Sequence, residues 1–207
     1  MKTITVNLFK FDELSDSAQR TVIDRECYEI QADAMDSYGY DYRDTLDRFC
    51  EIFGITMTDW SVSDCGHSFR FRFDGPIYDW TWDCIYADDV SGKLLLRYLN
   101  GIYFKKAYTN KTVQPFQPDA CCPLTGVCCD YYILQPIVDW YKKPDHCISL
   151  RDLIQYCLEK FFQAWENEYD YCASDEFCRQ ELSEGSRWED VLYYSDGTRA
   201  DKFLQVA

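Results

Sequence analysis

The chain has 207 residues, 47% hydrophobic and 17% aromatic, with a formal net charge of −15. That length and aromatic content exclude a disordered acidic tail and allow a proper buried core. The charge argues against general binding to nucleic acid and against an anionic membrane surface.

Residues 2–10 (KTITVNLFK) alternate as a strand, with Ile4, Val6 and Leu8 on one face. Ser15 then caps a helix to about Met35, whose apolar stripe is Ala18, Val22, Ile23, Cys27, Ile30 and Ala34. Asp24, Glu26, Asp33 and Asp36 lie mostly off that stripe, which predicts an acidic outer face. Tyr38-Gly39-Tyr40 reads as a break before a second helix at 41–53, closed by Gly54. Residues 55–62 and 68–74 read as a hairpin, with Phe69, Phe71 and Phe73 on one face and Arg70 and Arg72 on the other. Residues 75–90 carry no clear period.

A helix is expected at 92–104, followed by a long surface loop at 105–123, where Pro115, Pro118 and Pro123 fall. A short helix over 132–141 must hold Pro136 near its start. Ser149 caps a long helix to about Tyr171, with Leu150, Leu153, Ile154, Cys157, Leu158, Phe161, Phe162 and Trp165 as its stripe. Ser174 caps another over 175–183. A hairpin, 188–194 and 199–204, closes the chain. The pattern predicts an α+β fold: a small antiparallel sheet packed with several helices in a single compact domain, 1–207.

The acidity is uneven. Residues 11–47 hold eleven Asp/Glu against three Lys/Arg, and residues 163–207 hold eleven against four. Residues 48–162 hold fourteen against twelve. Two acidic ends flank a nearly neutral middle, a distribution suited to a basic partner surface. Asp24, Glu26, Asp33, Glu166, Glu168, Asp170, Asp175 and Glu176 are the expected partner-binding residues.

Other chemistry is poorly supported. Cys121-Cys122 and Cys128-Cys129 offer four thiols, but zinc sites favour separated knuckles, and adjacent Cys side chains diverge. The primary expectation is no metal and no cofactor, with a cysteine-centred zinc-binding or regulatory module as an alternative. The twelve cysteines are expected to be reduced and mostly buried. His67 and His146 read as exposed loop residues rather than general bases. No nucleophile, base and orienting group can be assembled, so an enzyme is not expected. No apolar run is long enough for a membrane span, and Met1–Val6 lacks the core of a signal peptide, so a cytoplasmic location is expected.

Phe11-Asp12-Glu13-Leu14-Ser15-Asp16-Ser17-Ala18-Gln19 resembles the opening of a broad group of small acidic proteins from phages, prophages and other mobile elements of gut-type bacteria. The similarity continues through Phe53-Gly54-Ile55, Leu124-Thr125-Gly126 with Asp130, Glu168-Tyr169-Asp170-Tyr171, Ser174-Asp175-Glu176 and Asp196-Gly197. The resemblance implies a bacterial host cell and an anti-defence role, since some acidic phage proteins of this size resemble inhibitors such as anti-CRISPR proteins. It implies no catalytic residue. The expected function is therefore an acidic inhibitor of a host nucleic-acid-handling defence protein such as the Cas effector nuclease Cas9, by mimicry of DNA charge or by steric block. An antitoxin-like partner of a basic toxin is the other alternative.

Overall fold

The structure, a computed structural model, describes residues 6–63, 65–78, 84–100 and 122–200. The fold is α+β. A 3₁₀ turn at Phe11–Glu13 leads into α1, Asp16–Phe53, a single helix of 38 residues. The expected break at Tyr38-Gly39-Tyr40 is absent. The buried stripe changes there instead: Ala18, Val22, Ile23 and Ile30 are buried before it, and Tyr42, Leu46, Phe49, Ile52 and Phe53 after it. A helix with two differently placed apolar stripes looks, in sequence, like two helices. Gly54 ends α1 at φ +62°, the left-handed conformation that glycine adopts without a Cβ clash.

By internal contacts the chain divides into two compact units, Met1–Ser37 with Tyr169–Ala207, and Tyr38–Glu168. They are called unit 1 and unit 2 below.

In unit 2, β1 (Ile55–Ser63) and β2 (Gly66–Phe73) form the expected antiparallel hairpin, with Trp60 opposite Phe69. β3 (Ile77–Tyr78) and β4 (Cys84–Ile85) pair as a second two-stranded sheet. Then follow α2 (Gly92–Tyr98), α3 (Cys129–Lys142) and α4 (Leu150–Cys172), the last of which runs on into unit 1. The end of the helix expected at 92–104, from residue 101, and the 105–123 loop up to Cys121 lie outside the described residues.

α3 starts three residues earlier than expected, so Pro136 sits inside it and is buried. Asp130 explains the early start. Its fully buried carboxylate accepts from the backbone N–H groups of Leu124 (2.7 Å) and Thr125 (2.8 Å) and from the hydroxyls of Thr125 (2.8 Å) and Thr45 (3.0 Å). The Leu124-Thr125-Gly126…Asp130 pattern is thus a carboxylate-nucleated turn that feeds the helix.

α4 behaves as expected. Ser149 and Asp152 form a reciprocal cap: Asp152 N–H donates to Ser149 Oγ at 3.1 Å, and Ser149 Oγ donates to Asp152 Oδ2 at 2.7 Å. All eight stripe residues are buried at 1% exposure or less, so periodicity alone identified this side of the core. Trp60 and Phe69 pack on Phe162, and Tyr42 stacks on Trp165 at 5.0 Å between centroids.

His67, expected at an exposed turn tip, lies within β2 with its side chain only 11% exposed. Its ring stacks near Phe162 at 6.1 Å, and its two nitrogens face Glu166 (2.5 Å) and Glu159 (3.4 Å), both on α4. The hairpin therefore meets α4 through aromatic packing and this polar clasp.

Unit 1 is closed by the two chain ends. The described part of the expected N-terminal strand, residues 6–10, is not a strand; only Phe9 pairs, in an isolated bridge to Tyr193. Tyr193 also bridges Arg199, so the closing hairpin is reduced to a turn, and residues 201–204 lie outside the described residues. Among the described residues neither segment pairs with β1 or β2, so the strand expected at 2–10 adds nothing to that sheet over its described part. Lys10, Asp12 and Glu13 give way to the 3₁₀ turn, whose Glu13 carboxylate accepts from Lys10 N–H at 2.8 Å. That local bond competes with strand pairing. Ser174 caps α5, Asp175–Glu184, accepting from Phe177 N–H at 3.1 Å. The core of unit 1 gathers Phe11, Leu14, Val22, Ile23, Phe177, Leu182, Trp188 and Tyr193.

Candidate partner-binding face

The two acidic chain ends fold into the same unit. Unit 1 carries 17 Asp/Glu against 8 Lys/Arg, a net of −9 over 76 residues, while unit 2 carries 19 against 13, a net of −6 over 131. Such a density of like charge must be held together against its own repulsion.

Three devices do this. Cys27 of α1 and Cys178 of α5 form a disulfide across 151 residues of sequence, with Cα atoms 5.7 Å apart. This corrects the expectation that these thiols are reduced. Arg20 lies between the two ends, bonding Asp24 on α1 (3.0 Å) and Asp175 on α5. Arg187 does the same for Glu29 and Asp33, which lie one turn apart on α1. Ser183 also donates to Asp12 at 2.7 Å, and Arg179 to Gln19 at 3.0 Å.

The expected contact residues separate into three groups. Asp24, Asp33 and Asp175 are exposed but shared with Arg20 or Arg187. Asp170 and Glu176 are exposed with no cationic partner among the described residues. Glu26 is withdrawn from the surface, and Glu166 and Glu168 fall in unit 2. Glu26 is only 7% exposed and pairs with Arg25, which also donates to the Gly197 carbonyl at 3.0 Å. It lies four residues from both Val22 and Ile30, so its place on the buried stripe was readable from spacing. Glu166 is occupied by His67, and both Glu166 and Glu168 belong to unit 2.

Several exposed carboxylates of unit 1 were not among the expected partner-binding residues. Glu29, Glu184, Glu189 and Asp190 are exposed in unit 1, as is Asp36, which was named from the sequence only as an off-stripe residue. Tyr28 is 85% exposed on α1, between Asp24 and Glu29 in sequence. An exposed tyrosine among carboxylates suits an interface anchor, with large area and two side-chain torsions to fix. Its position off the 22/26/30 row was the available signal. The Asp196 carboxyl is held below its ordinary value by the backbone N–H of Thr198, which keeps it charged at the Gly197 turn.

The cysteine pairs do not make a metal centre among the described residues, where no three His, Cys, Asp or Glu side chains are grouped to hold an ion. Cys128 is exposed while Cys129 is buried, so adjacent thiols do diverge; Cys121 lies outside the described residues. Among the described residues no helix is long and apolar enough to cross a membrane.

No family model matches the sequence, and no curated protein and no solved structure is similar to it. What fold and face define is a class: an α+β protein that presents a pre-formed, carboxylate-rich unit built from both ends of its chain.

Proposed function

We propose that the chain is a phage- or prophage-type inhibitor acting in the cytoplasm of a bacterial host. Unit 1 binds a basic surface of a nucleic-acid-handling defence protein, with a Cas9-type effector as the leading target. The observation that carries this reading is the assembly of both acidic ends into one unit of net −9. Such effectors hold nucleic acid in positively charged channels and read a short DNA motif with arginines. Carboxylates fixed on helices compete for those arginines at a smaller ordering cost than a flexible acidic tail. The likeness of Phe11–Gln19 to acidic mobile-element proteins supports the same reading.

The contacting groups are Asp36, Asp170, Glu176 and Glu184, with Tyr28 as anchor; Asp24, Asp33 and Asp175 add to the field while sharing their arginines. No bond is made or broken, so the role is that of a binding protein rather than an enzyme.

The test is capture of a purified Cas9-type effector by the full chain, with nuclease assays at low and high salt. Retention, and inhibition that weakens as salt rises, are expected. Failure to bind would overturn the proposal. So would inhibition unchanged by reversing Asp36, Asp170, Glu176 and Glu184 to Lys.

A further inference from the structure

The cysteines of this chain are not in one state. Cys50, Cys84, Cys128, Cys129, Cys147 and Cys157 carry free thiols, and Cys84, Cys128 and Cys147 are exposed. Cys27 and Cys178 are joined, within unit 1. Domains stapled for an oxidising environment pair their cysteines; where exposed thiols persist, a disulfide is characteristically one that opens and closes.

The surroundings of the pair suit both redox states. Cys27 Sγ accepts from Gln31 Nε2 at 3.0 Å. The same Nε2 donates to the Ala173 carbonyl at 2.9 Å, so Gln31 is held in place whether or not the sulfurs are joined. Cys178 Sγ lies 4.0 Å from the Cys27 carbonyl oxygen, within reach of an S–H donor. An opened bond therefore leaves one sulfur beside a donor and the other beside an acceptor. Access is one-sided: Cys27 is half-buried and Cys178 fully buried, so an incoming thiolate meets Cys27 Sγ.

From this we infer that Cys27–Cys178 is a reversible thiol–disulfide switch that fixes α5 to α1 when oxidised and releases it when reduced. A small thiol reductant of the glutathione class attacks Cys27 Sγ as its thiolate. A mixed disulfide forms at Cys27, and Cys178 leaves as a thiolate. A second reductant thiolate attacks the reductant's sulfur in the mixed disulfide and releases Cys27. The two reductant molecules end as their own disulfide, and the two cysteine thiolates take up the protons that the reductant thiols gave up. Two electrons pass to the pair. The polar links that remain between α5 and the start of the chain are Arg20 with Asp175, Arg179 with Gln19 and Ser183 with Asp12, all exposed. Links of that kind are weak and screened by salt. The switch lies in the acidic unit but does not depend on what that unit binds.

The test uses the full chain and no partner. It is equilibrated at a series of reduced-to-oxidised glutathione ratios, approached from both sides, and alkylated. The Cys27 and Cys178 peptides are quantified by mass spectrometry, and hydrogen exchange is read at the same ratios. The pair is expected to titrate along one curve in both directions. Reduction is expected to speed exchange over Asp175–Glu184 by at least about tenfold and over residues 150–165 of α4 by less than about twofold. Cys27→Ser should exchange fast over Asp175–Glu184 at every ratio. A pair that stays oxidised at the most reducing ratio is a permanent staple, and would overturn the inference. So would a pair that does not re-form, exchange over Asp175–Glu184 that ignores reduction, or an equal rise over 150–165.

Discussion

Unit 1 and unit 2 solve the same problem by different means. Unit 2 is the larger and less charged, and it rests on an aromatic core in which Tyr42, Trp60, Phe69, Phe161, Phe162 and Trp165 contact one another directly. Unit 1 concentrates charge in 76 residues. It relies on cross-links between distant segments: a disulfide, two arginines shared among four carboxylates, and one backbone turn against α1. A dense field of like charge can be kept on a folded surface when arginines interleave it and the chain ends are pinned together. The cost is dependence on a few connections.

That contrast can be broken most sharply in unit 2, at Asp130, the one fully buried carboxylate among its described residues. Asp130→Ala strands the Leu124 and Thr125 N–H groups and two hydroxyls. It should lower stability by about 3 kcal/mol in denaturant unfolding. In unit 1, Cys27→Ser removes the link to Cys178 and should cost about 2–4 kcal/mol under oxidising conditions. The same substitution should change nothing in excess reductant, a difference that isolates the disulfide. Gly197→Ala should cost about 2 kcal/mol: φ is +85°, and a Cβ would sit 2.6 Å from the Ala18 carbonyl oxygen.

Thiol titration sharpens the comparison further. Burial pushes the Cys50 and Cys129 thiols of unit 2 up to about 12 from 9.0, and raises that of Cys157 as well. These groups keep their protons in the folded state where unfolded thiols have lost them. Their contribution is complete below about pH 9 and fades as pH rises toward 12, so stability should fall across that window. At pH 8 the exposed Cys84 and Cys147 should react with a thiol reagent well before Cys50, Cys129 and Cys157. The smallest effect on stability belongs to the surface arginines. Arg187→Gln should cost less than about 1 kcal/mol, yet frees Glu29 and Asp33 and should tighten binding of a basic partner.

How much of this was legible in the sequence follows from the range of the interactions. The α4 stripe was readable because eight apolar residues keep one period over a single buried face. Gly54, Ser149 and Ser174 were readable because caps are local. The continuity of α1 was not, since the Tyr38-Gly39-Tyr40 segment marks a change of buried stripe that sequence presents as a break. Asp130 was visible as part of a motif, but not as a cage for backbone N–H groups. His67 was misplaced because its partners lie about a hundred residues away on α4. For the same reason Arg20 and Arg187 gave no sign of joining the two ends: their carboxylates are chosen by tertiary structure. The acidic ends were legible as composition, and their union in one unit was not.

The central claim is that unit 1, not the net charge of the whole chain, carries recognition of a basic partner. Two variants with equal charge change decide it: Asp36→Lys/Asp170→Lys/Glu176→Lys in unit 1, and Asp44→Lys/Asp47→Lys/Asp89→Lys in unit 2, all exposed positions. The measurement is the inhibition constant of each against a Cas9-type effector at one fixed salt concentration. The account predicts a loss of at least tenfold for the unit 1 variant and a change within about threefold for the unit 2 variant. Equal losses, or a larger loss from unit 2, would contradict it.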